Sequence, residues 1–475
     1  MKKEKIDLEK FKVDFKEESH KYLDIYNYIK EAIDTDVFED GQKMPTIRAL
    51  SEHLNVNKDT IINAYKKLNN EGYLYQNQGS GSYVKKKDLL KNFKKEYGEI
   101  FQRLINNNKM ELIDLTGETT SANFFEIKTL KNVLDKVLDR DGVNALEYND
   151  SMGYRKLREI INDKFWNGEN SLDNLIITSG TQQGIDIVSK GLINVNDNVV
   201  VEKPTYSGAL AVFKIRKANV FEIPMEEDGV SIEAFEKMLK KYRIKCFYTM
   251  SYFQNPTGIS CSLEKKLKII ELSKKYDFYI IEDDYLSELI YDEEIEHIPY
   301  RALDKSRVIY LKSFSKVFLP GIRIGYLLAP DEFSEVLQIS KATSDIATSS
   351  LMQRALELYI REGYWKEHIE KINKEYSRRY NYMIEALENK LKKYVTFDKP
   401  KGGLNLFIRL NKNVDLNSKE LFYELSKVGV MISPGILYYH NQRDGYRSFR
   451  IGFSEIDYRK IDKGIDSILR VLERR

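Results

Sequence analysis

The arrangement best suited to chemistry in this chain is Ser313, Lys316 and Arg323, within Ser313-Phe-Ser-Lys316-Val-Phe-Leu-Pro320-Gly-Ile-Arg323. Arg307-Val-Ile-Tyr-Leu-Lys312, just before it, is β-branched and aromatic and reads as a buried strand. Lys316 therefore falls past a strand end, in a turn that Pro320-Gly321 extends. A lysine there can form a Schiff base with an aldehyde, provided its neighbours hold an anionic group and lower its pKa. A serine hydroxyl three residues before it and a guanidinium fork seven after suit a phosphate. Ser-x-x-Lys alone would read as a solvated surface loop; the Pro-Gly-x-Arg continuation favours a cofactor.

Other residues suit the same chemistry. Ser179-Gly180-Thr181-Gln182 follows a strand and opens a helix, where free backbone N–H groups make an anion site. Glu282-Asp283-Asp284-Tyr285 ends another buried strand. A carboxylate there can keep a pyridine nitrogen protonated and make the ring an electron sink, which fits Asp283, whereas Asp284 reads as solvated. Asn255-Pro-Thr-Gly258 is a polar turn, and Tyr206 follows Glu202-Lys-Pro-Thr.

These segments, in this order, resemble fold-type I pyridoxal 5'-phosphate (PLP) enzymes of the aminotransferase class I group. The resemblance implies roles. Lys316 would carry PLP, and Gly180, Thr181, Gln182, Ser313 and Arg323 would hold its phosphate. Tyr206 would stack on the pyridine ring, and Asp283 would face the ring nitrogen. Asn255 and Tyr285 would donate to the phenolic oxygen. Tyr148, in Glu147-Tyr-Asn-Asp-Ser-Met-Gly153, aligns with a tyrosine that crosses a dimer interface to the partner's phosphate. Arg450, in Ser448-Phe-Arg-Ile-Gly-Phe453, aligns with the arginine that grips a substrate carboxylate. Lys316, Asp283 and Tyr285 are then the catalytic set, with Lys316 moving the α-proton once an amino compound has displaced it.

The elements that must position these residues alternate. Strand-like runs at 174–178, 198–202, 220–223, 245–250, 278–282, 307–312 and 324–328 are separated by amphipathic helices. That pattern predicts an α/β domain with a mostly parallel sheet, its ligands at the C-terminal strand ends. We assign this domain to residues 111–475, with a small C-terminal subdomain from about 345 that includes Lys401-Gly-Gly-Leu-Asn-Leu-Phe407. Residues 88–110 read as a Lys-rich, partly helical linker.

Residues 1–87 have a different character. Tyr22, Ile25, Ile29 and Ile33 repeat at helical spacing. Thr46 is placed to cap a short helix over 47–54, and Asn57 to cap a longer one from Lys58 to about Asn70 with Ile61, Ala64, Tyr65 and Leu68 inward. Tyr73–Tyr75 and Ser82–Val84 flank Gly79-Ser-Gly81 as a hairpin. Two helices joined by a tight turn and followed by a hairpin make a winged helix-turn-helix. Residues 41–95 hold 11 Lys and Arg against 4 Asp and Glu, a balance that suits nucleic acid.

The segment resembles the GntR-type DNA-binding domain. That resemblance implies that Asn57, Lys58 and Thr60 meet bases and phosphates in the major groove of a double-stranded operator. Arg48 and the wing at Gln78 and Gly79 would reach the backbone or minor groove. Asp59, in the same turn, is a poor phosphate partner.

Fused in this order, the two parts resemble the MocR family of bacterial regulators. This implies a domain-swapped, head-to-tail homodimer. Its effector would be PLP itself, or an amino acid or amine forming an external aldimine. The expected function is a PLP-dependent transcription regulator with little turnover; the alternative is an aminotransferase with a secondary DNA-binding domain, which Asn255 keeps open.

Composition narrows the remaining classes. The 475 residues carry a net charge of only +3, with 31% charged and 42% hydrophobic residues, within the range of a globular protein. Cys246 and Cys261 have neither metal-ligand nor redox spacing, and five His leave little scope for a metal site, so no metal is expected. The N-terminus lacks the apolar core of a signal peptide, and no long apolar run predicts a membrane span. A cytoplasmic protein is expected.

Overall fold

The structure is a computed structural model that describes residues 6–15, 20–34, 37–77, 80–85, 89–106, 111–147, 150–292, 296–345 and 347–474. The chain divides into two compact units, Met1–Glu99 and Ile100–Arg475, and the helix Leu89–Ile105 runs across the division.

The described residues of the first unit include the helices Lys21–Asp34, Ile47–His53 and Lys58–Asn70, and a two-stranded antiparallel hairpin, Leu74–Asn77 with Gly81–Val84. The helical repeat predicts its core: Ile25, Ile29, Ile33, Leu50, Ile61, Ala64 and Leu68 are all fully buried. Leu74 and Val84, paired across the hairpin, join the same cluster. Each buried Ile or Leu contributes roughly 1.5–3 kcal/mol against the entropy of ordering so short a chain. Thr46 Oγ1 accepts from the Ala49 N–H at 3.2 Å, as its position predicts. Asn57 differs. It occupies the N-cap position with extended backbone, but its side chain makes no capping hydrogen bond; the Thr60 N–H bonds the Asn57 carbonyl instead, at 3.0 Å. Tyr65 Oη donates to the Pro45 carbonyl at 3.0 Å, fixing the second helix of the pair to the turn before the first.

The second unit is built on an eight-stranded sheet. In spatial order its strands are Leu175–Thr178, Gly325–Leu328, Val308–Ser313, Tyr279–Asp284, Cys246–Thr249, Asn198–Lys203, Asn219–Glu226 and Gly229–Val230. The five from Val308–Ser313 to Asn219–Glu226 pair in parallel; Gly325–Leu328 runs antiparallel to both its neighbours. The seven strand-like runs all form strands of this sheet. Six of them are largely buried on both faces, so they read as continuous apolar runs rather than as alternation, whereas Asn219–Glu226 is mostly half-exposed.

A smaller antiparallel sheet joins Val395–Phe397, Asn405–Leu410, Ser448–Gly452 and Ser433–Pro434. Residues 113–115 run alongside this sheet. Ile113–Asp114 pairs in parallel with Val430–Met431, and the Gly452 N–H donates to the Leu115 carbonyl at 2.7 Å. Among the described residues no helix is long and apolar enough to cross a membrane.

Candidate functional site

The predicted site residues of the second unit gather where the strands of the large sheet end. Leu311 and Lys312 lie in register with Asp283 and Asp284 on the neighbouring strand, so Asp283, Ser313 and the turn carrying Lys316 share one edge. Thr178 ends a strand of the same sheet, and the helix Thr181–Leu192 starts from it. Gly180 sits between them with φ +101°, a conformation open to glycine at little cost. A Cβ there would lie 3.2 Å from Arg323 Nη2, and that guanidinium donates to the Ser179 carbonyl at 2.7 Å. The first N–H groups of this helix, those of Thr181 and Gln182 among them, have no intrahelical acceptor. Beside Arg323 they form an anion cradle. The Gln182 side chain is already engaged: Nε2 donates to the Gly208 carbonyl at 3.2 Å and Oε1 accepts from Tyr206 Oη at 3.1 Å.

Asp283 is buried. Its Oδ2 accepts from Tyr248 Oη at 2.7 Å, while Oδ1 is shielded from water and has no partner. Burial raises its carboxyl to about 7. An orphaned buried acceptor is costly unless a ligand donor meets it. Burial also raises the Tyr206 hydroxyl; the carboxylates of Glu118 and Asp283 add to this, and Arg450 and Arg323 oppose it. Four charged groups from distant parts of the chain thus act on one tyrosine.

The Asn255 turn is held from below. Gln254 Nε2 donates to Glu202 Oε2 at 3.0 Å and to the Pro204 carbonyl at 2.7 Å, and its Oε1 accepts from the Thr257 N–H and hydroxyl. Glu202 is fully enclosed, and burial lifts its carboxyl to about 7. With Oδ1 accepting from Arg450 Nη1 at 2.9 Å, Asn255 has its amide Nδ2 to offer a cofactor oxygen. Tyr285 Oη donates to the Phe253 carbonyl at 2.8 Å, so here its proton points into the protein rather than toward a phenolic oxygen.

Glu118, which the sequence does not single out, lies at the centre. Lys316 Nζ donates to its Oε2 at 3.2 Å, and Arg450 Nη1 to its Oε1. Burial opposes its ionisation, but the Arg450 and Lys316 charges outweigh that and hold the carboxyl down at about 2. Arg450 is buried; its Nη2 donates to the Thr116 carbonyl at 2.8 Å and to Ser433 Oγ at 3.4 Å, and its guanidinium lies 5.3 Å from the Tyr438 ring centre.

Asp284 corrects the reading of a solvated acidic turn. It is fully buried on the opposite face of the strand, accepting from Lys312 Nζ at 3.0 Å and Tyr310 Oη at 2.6 Å, with His297 Nε2 at 2.9 Å. Lys312 Nζ also reaches Glu288 at 2.8 Å and Ser287 Oγ at 2.8 Å. Burial opposes the Asp284 charge, but Lys312 and His297 outweigh it and keep the carboxyl well below its usual range.

In the first unit Asn57 and Lys58 are exposed at the start of the helix Lys58–Asn70, with Thr60 half-buried beside them. Arg48, its side chain 78% exposed, pairs with Glu52 at 2.9 Å one turn along its own helix. Gln78, Gly79 and Tyr148 lie outside the described residues.

The residues present fit PLP: an amine at Lys316, an anion cradle at Gly180 and Arg323, and an unsatisfied buried acceptor on Asp283 for a protonated ring nitrogen. Comparison with known proteins agrees. The aminotransferase class I and II family matches residues 119–468, and the gntR family of bacterial regulatory proteins matches residues 21–84. Aromatic-amino-acid aminotransferase 1 of Thermococcus litoralis is 31% identical over 76% of this chain and 88% of its own. The uncharacterized HTH-type transcriptional regulator YdfD of Bacillus subtilis is 29% identical over 94% of this chain and 95% of its own, so that match runs through both units. Among solved structures, the kynurenine aminotransferase of Pyrococcus horikoshii, in complex with PMP, superposes with a TM-score of 0.74 at 31% identity, covering 80% of this chain and 94% of that one. The chain therefore belongs to the PLP-dependent aminotransferase class I and II family, with a gntR-family DNA-binding domain ahead of it in the MocR-type architecture.

Proposed function

We propose that this protein is a cytoplasmic transcription regulator that binds an operator through its winged helix-turn-helix and senses PLP, or an amino compound that reacts with PLP, at the Lys316 site. The observation that carries this reading is the presence of two intact functional units in one chain. One has exposed Arg48, Asn57 and Lys58 at the helices Ile47–His53 and Lys58–Asn70. The other has Lys316, Asp283 and the Gly180–Arg323 cradle together.

Each group has a task. The N–H groups at the start of Thr181–Leu192, with Arg323 and Ser313, neutralise a phosphate. Asp283 would hold a proton on a ring nitrogen, and Tyr248 fixes the carboxylate that would do so. Tyr206 would cover one ring face and Asn255 would donate to the phenolic oxygen. Lys316 offers the amine, and Glu118 stays beside it as counter-ion. PLP, when bound, supplies an aldehyde that condenses with amines and a ring that withdraws electrons. For the ligand to act as a switch it must favour one arrangement of the winged helices over another. The regulator reading includes a homodimer with exchanged DNA-binding units, which sedimentation of the purified chain would test.

A second reading, an aminotransferase, is favoured by the completeness of the same set. One experiment separates them: absorbance of the PLP-loaded protein during titration with amines and amino acids, with oxo acids assayed in parallel. Ligand exchange without accumulating oxo acid supports the regulator. Repeated turnover when an oxo acid is added gives the enzyme. Persistence of the PLP absorbance in Lys316→Ala would remove Lys316 from either account.

A further inference from the structure

Arg450 is the residue expected to grip a substrate carboxylate, yet its outer donors already have acceptors. Nη1 serves Glu118 Oε1 and Asn255 Oδ1, and Nη2 serves the Thr116 carbonyl and Ser433 Oγ. A guanidinium carries two N–H groups on each outer nitrogen, so these four acceptors account for all of them. Nε–H, the remaining donor, is buried without a partner and is one hydrogen short of a bidentate grip. The second oxygen of Glu118 accepts from Lys316 Nζ. The Glu118 carboxylate therefore spans the gap between the amine that reacts and the arginine that would orient an amino acid. That is where the carboxylate of an α-amino acid would lie.

The backbone holds Glu118 in place. The Leu115 carbonyl accepts from the Gly452 N–H, and the Thr120 N–H donates to the Lys316 carbonyl at 2.9 Å. Gly117, immediately before it, packs so closely that an added Cβ would lie 2.8 Å from Ser454 Oγ. This segment, anchored on both sides, sets the Glu118 carboxylate between Lys316 and Arg450.

We infer that Glu118 is an internal carboxylate that fills the α-carboxylate position, so that the site selects primary amines lacking an adjacent carboxylate over α-amino acids. The inference rests on the reading of Lys316 as the PLP site and names its ligand class. An incoming carboxylate would have to displace Glu118 from Arg450 and then sit beside it, two like charges at short range in a partly buried site. An amine without that group leaves the Glu118–Arg450 pair intact. If its tail is cationic or carries N–H donors, it gains the outer face of Glu118 as an acceptor.

The test uses the PLP-loaded full-length protein and two ligands that differ only in the carboxylate, 3-methylbutylamine and L-leucine, each titrated by absorbance. The amine is expected to half-saturate at a concentration at least about tenfold below that of leucine. Glu118→Gln, which keeps shape and removes charge, is expected to erase or invert that ratio. Calorimetry with 4-methylpentanoate, a carboxylate without an amine, supplies a measurement that needs no variant. It is expected to give no detectable heat of binding with the wild type. A wild-type preference for leucine, an unchanged ratio in Glu118→Gln, or saturable binding of 4-methylpentanoate to the wild type would each overturn the inference about Glu118 while leaving the PLP reading standing. Failure of PLP itself to load in a Lys316-dependent way would overturn both.

Discussion

Tyr248 donates its hydroxyl proton to Oδ2 of Asp283 at 2.7 Å, and the other oxygen of that carboxylate, equally shut off from water, meets nothing. The pair fixes an acceptor in one direction before any ligand arrives. In ligand-free protein that orientation has a cost. An unfolded aspartate titrates near ~4, whereas burial lifts Asp283 to about 7. Between those values the folded state binds the extra proton, so this group lowers stability as pH rises through the window. Asp283→Asn is expected to stabilise ligand-free protein by roughly 1–4 kcal/mol at pH ~8 in urea unfolding, with the gain vanishing toward pH ~4. A gain of equal size at both pH values would mean that another group titrates. In PLP-loaded protein the same variant should lose cofactor faster, on the reading that Asp283 would face a protonated ring nitrogen.

Gly180 tests the phosphate cradle. Alanine there would adopt φ +101°, a strained conformation costing about 1–3 kcal/mol, and would crowd Arg323. PLP affinity measured by equilibrium dialysis is expected to fall at least about tenfold. Unchanged affinity would place the phosphate elsewhere.

Lys312 is expected to matter for stability rather than for ligand binding. Lys312→Met takes the Lys312 cation from buried Asp284, leaving it His297 alone, and from half-buried Glu288, a loss that typically costs up to about 3–5 kcal/mol. Urea unfolding reads the loss directly. Pairing it with Asp284→Leu should restore part of the stability, and no restoration would show that the network is not held by this pair.

Arg48 addresses DNA. Its ion pair with Glu52 is exposed and contributes little to stability, so Arg48→Ala should leave the thermal transition nearly unchanged. Binding to a selected operator fragment is expected to weaken, with the slope of log affinity against log salt reduced by about 1. An unaltered slope would take Arg48 off the phosphate backbone.

Local pattern carried much of the architecture. Ile25, Ile29 and Ile33, like Ile61, Ala64 and Leu68, announce their helices and their buried faces because each helix buries a single stripe. The strands of the large sheet are short apolar runs ended by chemistry-bearing residues, which is why Asp283, Ser313 and Lys316 could be placed at one edge. Asp284 was misread because an Asp-Asp doublet looks solvated. Strand geometry sends the two carboxylates to opposite faces, and Lys312, its partner, lies directly across on the next strand. Tyr248 sits in a recognised strand, but nothing in a strand sequence says which tyrosine meets an acid. Glu118 was invisible for a different reason. It lies in an aperiodic stretch, and its partners are 198 and 332 residues further along the chain.

Glu118 is also the first of these site residues met along the chain, and the stretch that carries it works as a strap. One end is bonded to the small sheet at Gly452 and the other to the Lys316 turn. An amine that leaves the Glu118–Arg450 pair intact also leaves both ends of the strap bonded, so the small sheet and the turn of the reactive lysine stay fastened to each other while the site is filled.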